Sequence, residues 1–311
     1  MKLQLIVGAL LMTATCFQAG ADTWTGNLEG GPDLWTGNTT YSIGGNAWNN
    51  LTGAKHYWDK ISELKFPLDA PFFSLRGSLQ WKQCLELHGT VTANMADPST
   101  KMKDSDWVQS PNSLDVSSES DAALKAWAVD AGLRYWFDFP AKTNRLAYAL
   151  GVGPSILYQK LDWTMSNLDQ WYPSDPWSGN DYVGGKVSTY QAEITMPYLD
   201  LCGSLKNGKL SGRLEAGVGP AMVKDEDDHI LRMKKSSGDL KGWGVLGSAE
   251  IRYDFTKHWF GNIRLSAIKI QGSGTQTQEG YGGKLLGYKS TIDEDFSSTA
   301  VAAGLAVGYT F

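Results

Sequence analysis

The chain has 311 residues, with 28 Lys and Arg against 33 Asp and Glu and a formal net charge of −5. That mild acidity supplies no general basic character and argues against a nucleic-acid partner. Thirteen Trp, thirteen Tyr and 35 Gly accompany a mean hydropathy of −0.29, and beyond the N-terminal segment no apolar run reaches the ~18 residues of a membrane-crossing helix.

Residues 1–21 read as a secretory signal. Lys2 precedes an apolar run from Leu3 to about Met12, and the small-x-small "AGA" at 19–21 places the mature start near Asp22. Thr13 stands three before Cys16, where a lipoprotein signal would need an apolar residue. Removing Lys2 takes the net charge from −5 to −6. Cys84 and Cys202 then remain, and two cysteines in so long a chain read as free thiols on packed strands. Many aromatics and glycines, a signal segment and no spanning helix suggest a transmembrane β-barrel.

Ten strands are predicted along the mature chain, which reads as one barrel domain over 22–311. They fall at roughly 40–50, 61–81, 84–95, 122–139, 145–165, 188–205, 209–223, 241–255, 259–271 and 297–311. Side chains alternate faces along a strand. In the fourth, Trp127, Val129, Ala131, Leu133, Tyr135, Phe137 and Phe139 share one face, with Asp130 and Arg134 on the other. In the seventh, Leu210, Leu214, Ala216 and Val218 oppose Arg213 and Glu215. In the eighth, Trp243, Val245, Ala249, Ile251, Tyr253 and Phe255 oppose Ser248, Glu250, Arg252 and Asp254. A soluble sandwich would bury the apolar face, whereas a barrel in lipid turns it outward and packs the charges inside. Periodicity alone does not separate the two. The signal segment, aromatic residues at strand ends and the final strand "VAAGLAVGYTF" favour the barrel. An aromatic C-terminus such as Phe311 resembles the assembly signal of Gram-negative outer-membrane barrels.

An even strand count puts both termini on the periplasmic side. Short connections are predicted at 82–83, 140–144, 206–208 and 256–258, the third an Asn-Gly hairpin turn. Long ones are predicted at 51–60, 96–121, 166–187, 224–240 and 272–296. Two acidic clusters, "KDSDW" from Lys103 and "KDEDDH" from Lys224, land on the long-loop, extracellular side.

Asp104 and Asp106 are two apart, so in an extended segment both carboxylates point the same way. Close carboxylates repel, and one then holds a proton or a cation. Asp227 and His229 have the same spacing, and a carboxylate beside a histidine orients the ring and stabilises its imidazolium. Solvated surface charge, a divalent-cation site and an acid–base site all fit these spacings. The carboxylates offer the hard oxygens calcium prefers, but no EF-hand pattern is present. Zinc is disfavoured because His229 alone stands near the carboxylates, with His56, His88 and His258 scattered elsewhere. No G-x-S-x-G elbow supports a serine hydrolase.

Four stretches together resemble the omptin family: "DSDW" from Asp104, "YQAEITMPYLDL" at 190–201, "DEDDH" from Asp225 and the closing "AGLAVGYTF". The resemblance runs from about residue 40 to 311. It implies a ten-stranded outer-membrane endoprotease of aspartic type, with its site facing outward, working as a monomer on peptides or proteins and needing no metal or other cofactor. It further implies that His229, oriented by Asp227, activates a water positioned with Asp104, while Asp106 helps stabilise the reacting centre. Asp225 matches an acidic residue that receives a basic side chain before the scissile bond. Asp115 is carried over as an acidic residue on the leaving-group side. The first strand, "SIGGNAWNNLTG", lacks the glutamate that the family adds to the basic-residue pocket. Family members also bind lipopolysaccharide on the outer wall. Tyr158 matches that clamp, but Asp162 and Glu193 stand where the family has arginines, so the clamp is absent or rebuilt. The alternative to the protease is a non-enzymatic barrel, an adhesin or a calcium-binding surface protein.

Overall fold

The computed structural model describes residues 24–48, 55–82, 84–107, 112–139, 147–175 and 177–311. The predicted signal at 1–21 and the predicted turn at 140–144 lie outside them. Twelve strands run as β1 (Trp24–Trp48), β2 (Lys55–Pro67), β3 (Pro71–Trp81), β4 (Leu85–Asn94), β5 (Met102–Asp106), β6 (Val116–Phe139), β7 (Ala147–Trp171), β8 (Asn180–Asn207), β9 (Leu210–His229), β10 (Lys234–Asp254), β11 (Trp259–Gly280) and β12 (Lys289–Thr310).

These strands make one antiparallel sheet that closes on itself, because β1 pairs with β12. Near the termini the ring passes from β1 through β3 and β4 to β6. At the opposite end it passes from β1 through β2 and β5 to β6. Either cross-section cuts ten strands, so the predicted count holds while two staves are each broken into two pieces. Closure leaves no unpaired edge, as lipid requires.

The alternation read from the sequence sets the orientation of each face. On β9, Leu214, Val218 and Met222 are exposed, and beyond Met222 the outward residues are Lys224, Glu226 and Asp228. Met222 therefore marks the upper rim of the apolar belt on this strand. Level with the belt, the inward face carries charge. Arg134 is buried and bonds Asp200 through Nε at 2.7 Å. Arg134 also lies 3.5 Å from Glu86 and 3.4 Å from Glu215, and Glu86 accepts a 2.5 Å bond from the Trp136 indole. A polar cavity of about 560 Å³ runs through this network.

Above the belt the interior becomes apolar. Phe66 of β2 stacks on Tyr190 of β8 with centroids 4.2 Å apart, and Trp163 of β7 packs 5.3 Å from Phe66. Leu64, Met165, Ile194, Met196, Val223 and Leu240 complete a dry plug across the barrel. The plug separates the polar cavity from a second hollow at the far end. The sequence reading, which assigned the whole inward face to polar residues, did not anticipate it.

Several predicted bounds are corrected. The first strand starts at Trp24, not 40. Its Gly-rich opening carries no clear apolar alternation. A Cβ on Gly31 would lie only 1.9 Å from the Leu305 carbonyl oxygen, so close backbone approach accounts for one of these glycines. The predicted long loops at 166–187, 224–240 and 272–296 are largely strand, the one at 96–121 contains β5 and the start of β6, and β9 and β10 turn over within four residues at 230–233. Above the lipid a strand needs no outward apolar face, so it lacks the pattern that reveals it in sequence. The short turn after Asn207 is present, with Gly208 at φ +61°. Both cysteines are free thiols, but Cys84 sits in the turn after β3 rather than on a strand.

Candidate active site

The far end of the barrel gathers the acidic clusters. Continuing the β9 alternation beyond Met222 turns Asp225, Asp227 and His229 inward. β5 is held between Leu64 of β2 and Ser118 of β6 at Asp104, and it turns Met102, Asp104 and Asp106 inward. Residues 103–106 are thus strand rather than loop, which fixes both carboxylates to a hydrogen-bonded ladder.

A cleft of about 220 Å³ joins the two elements. Asp104, Asp106, His229, Tyr41, Arg232 and Lys234 line it, with Ile43, Ile61 and Val116 as apolar wall. His229 Nε2 lies 3.0 Å from Asp227 Oδ2. The Tyr41 hydroxyl donates to the same Asp227 oxygen. Arg232 reaches Asp106 at 3.7 Å, so Asp106 carries a partial counter-charge that spacing alone did not suggest.

Asp104 in the cleft wall and Asp227 behind His229 are shifted in opposite directions. Burial pushes the Asp104 carboxyl up to about 7, and the neighbouring Asp106 carboxylate adds to the effect against the opposing pull of His229 and Arg232. Burial also disfavours ionised Asp227. There the His229 imidazole, the Tyr41 hydroxyl and the Lys234 ammonium overcome it and hold the carboxyl below its ordinary value. Desolvation holds Lys234 below the usual lysine range, with the Arg232 guanidinium adding to it. Asp104 Oδ1 and Asp227 Oδ1 are buried without a protein hydrogen-bond partner. Orphaned acceptors are costly, and they mark where a donor from water or substrate is received.

Asp225 lies one inward step below Asp227, buried, and accepts a 2.9 Å bond from the Tyr190 hydroxyl. Burial raises its carboxyl above the ordinary value. Asp115 is buried beside the site, its backbone N–H bonded to the Asp106 carbonyl at 2.9 Å, and it is not part of the cleft wall. Among the described residues no three His, Cys, Asp or Glu side chains converge as a metal site needs.

Tyr41, Lys234 and Arg232 are cleft residues that the sequence reading missed. Tyr41 turns inward on β1 with Thr39 and Ile43, but its outward neighbours Thr40 and Ser42 are polar, so no apolar alternation marks it in the sequence.

A closed antiparallel barrel with a polar interior and an acid-lined mouth defines the class: a bacterial outer-membrane β-barrel. A model of the omptin family matches residues 38–306. The plasminogen activator of Yersinia pestis is 23% identical over 214 residues, covering 63% of this chain and 67% of that protein. The crystal structure of the outer-membrane protease OmpT from Escherichia coli superposes with a TM-score of 0.71 at 16% identity, covering 93% of this chain and 97% of that one. The chain belongs to the omptin family of outer-membrane proteases.

Proposed function

We propose that the protein is an outer-membrane endopeptidase that hydrolyses peptide bonds with a water activated by the His229–Asp227 dyad. One observation carries this reading: a single cleft presents Asp104 and Asp106 from β5 and His229 from β9, with Asp227 bonded behind the histidine. The Asp227 bond keeps a proton on Nε2 and leaves Nδ1 as the base. Asp104, with one unpaired oxygen, holds the water for His229. Asp106 and its Arg232 partner stabilise charge at the reacting centre. The imidazolium then returns the proton to the leaving amine, so no covalent intermediate forms. Asp225 receives the side chain before the scissile bond, which favours basic residues, and Asp115 supports the leaving-group side through the Asp106 backbone. A calcium-binding barrel would instead gather carboxylates on one point and leave the histidine outside.

The cleft faces the outside of the cell, and the barrel acts as a monomer without a metal. The outer wall supports independence from lipopolysaccharide: Lys160 pairs with Glu193 at 2.9 Å, so a phosphate there meets an internally neutralised pair. Adding lipopolysaccharide to the detergent-refolded barrel should change its cleavage rate less than about twofold. A much larger activation would show that the clamp has been rebuilt.

The test is cleavage of a quenched fluorescent peptide library by the refolded barrel, with and without chelator. His229→Ala and Asp104→Asn should each lower kcat by about 10²–10⁴-fold while the heat-dependent gel shift of a folded barrel persists. Undiminished cleavage by either variant sinks the proposed site.

A further inference from the structure

The cleft is rich in acceptors. Asp104, Asp106 and the Asp227–His229 pair supply carboxylates and a base, and attack by water pushes a negative charge onto the scissile carbonyl oxygen. Nearby carboxylates oppose that charge, so a donor must face it, and a cationic donor offsets it most. The donors in the wall can be matched to their partners. The Arg232 guanidinium is drawn to Asp106 at 3.7 Å. The Tyr41 hydroxyl is engaged by Asp227. Gln278 donates to Gln276 at 2.8 Å, and Gln276 donates at 3.0 Å to Glu294, buried on the inward face of β12. Ser62 offers a neutral hydroxyl.

Lys234 is the cation left over. It opens β10 directly opposite His229 of β9, and the side chains of an opposed antiparallel pair stand beside each other on one face. Lys235, one residue on, points outward and meets its own carboxylate, Glu226, at 2.7 Å. Lys234 lines the cleft, and among the described residues no carboxylate stands within ion-pair distance of its ammonium and no hydrogen bond holds it. A desolvated ammonium without a partner is costly, and the ladders that seat β10 between β9 and β11 enforce it. The charged and titratable groups facing it are Arg232 from the turn before it, Asp227 and His229 from β9, Asp104 and Asp106 from β5, and Tyr41 from β1. Into the cleft β11 presents the neutral Gln276 and Gln278. Burial, then Arg232, holds the ammonium below the usual lysine range against the pull of the three carboxylates.

We propose that Lys234 is a catalytic residue whose ammonium donates to the scissile carbonyl oxygen and holds the negative charge of the tetrahedral intermediate. This deepens the proposed protease reading and rests on it. The water oxygen bonds to the carbonyl carbon, its proton passes to His229, and the π electron pair moves onto the carbonyl oxygen beside Lys234. The ammonium keeps its own protons. When the carbonyl re-forms, the C–N bond breaks and the leaving amine takes the proton from the His229 imidazolium. Two cations thus divide the cleft: Arg232 offsets the standing charge of Asp106, and Lys234 offsets the charge that appears during reaction.

The test is steady-state cleavage of a quenched fluorescent peptide by the refolded barrel across a range of pH, with folding checked by the heat-dependent gel shift. Lys234→Gln should lower kcat by about 10²–10³-fold. KM should stay within about threefold, the pattern of an interaction made only in the transition state. Charge is then restored chemically. Lys234→Cys in a Cys84→Ser background leaves the buried Cys202 as the other thiol. Bromoethylamine converts the introduced thiol into a cationic lysine analogue, and iodoacetamide converts it into a neutral amide. The first should recover kcat by about tenfold or more, and the second should recover none. The analogue's ammonium is more acidic than lysine's, so the basic limb of the kcat profile should move to lower pH. A kcat loss under about tenfold in Lys234→Gln, recovery no greater with the cationic reagent than with the neutral one, or an unmoved basic limb overturns the proposal. If Lys234→Gln does not fold, the two alkylated forms of the folded Lys234→Cys barrel still decide it. Failure of the protease reading is distinct: the unmutated barrel itself would leave the peptide uncut.

Discussion

Asp104 lines the cleft and Asp227 stands behind His229, yet their carboxyls respond oppositely to folding. Asp104 is raised to about 7, above its unfolded value near 4. The folded state therefore holds a proton the unfolded chain lacks between pH ~4 and ~7, and stability falls as pH rises through that window. Asp227 is lowered, so its contribution is present above the unfolded value and is lost as pH falls toward the folded one. Asp104→Asn should raise the apparent melting temperature at pH 8, and Asp227→Asn should lower it, while both abolish cleavage. Melting followed by circular dichroism in detergent checks the pair; shifts of the same sign would contradict the assigned environments. Tyr41→Phe removes only a hydroxyl and should cut kcat about tenfold with the fold intact, because Asp227 loses a donor. The acidic residues of the cleft were legible because a short spacing and a family resemblance both marked them. Tyr41 and Glu294 were not. Each lies on a segment whose outward neighbours are polar, so nothing in the pattern announced an inward face there.

Strands were legible where lipid imposes alternation and illegible where it stops. β10 and β12 show their apolar face in sequence, and the structure extends each beyond the predicted start. β5 shows no such pattern. Its five residues pair on both sides, with Ser105 opposite Glu63 and Ser117, and that ladder alone aims the two aspartates. The ring nearer the termini closes through β3 and β4 without β5. Ser105→Pro should therefore remove a ladder donor, misplace Asp104 and Asp106, and cost about 10²-fold in kcat/KM. The heat-dependent gel shift should survive. Loss of that shift would mean that β5 holds up the barrel as well as the site.

On the scale of the whole barrel, the apolar plug decides what the lumen can do. A polar cavity of about 560 Å³ lies among the belt-level charges, and Phe66, Trp163 and Tyr190 close it toward the cleft. The barrel should show no steady conductance in planar bilayers. Replacing Phe66 and Trp163 together with Ala should open a leak and destabilise the barrel by about 3–5 kcal/mol per site. Steady conductance of the unmutated barrel would contradict the plug. This layer is invisible in the sequence, because its aromatic residues come from strands far apart in the chain.

β9 also works as a ruler. Met222 is its last outward apolar residue, and His229 stands seven residues further along. With a rise of about 3.3 Å per residue and a tilt of about 40°, those seven residues lift the histidine about 18 Å above the hydrocarbon. The headgroup layer on one side is only about 5–8 Å thick. The reacting atoms thus stand clear of the lipid surface, and thinning or thickening the bilayer by a few ångströms leaves them clear. For the proposed endopeptidase the mouth itself then limits the substrate: a compact fold cannot enter a 220 Å³ slot, so only a segment that can leave its own fold and thread between β5 and β9 should reach His229.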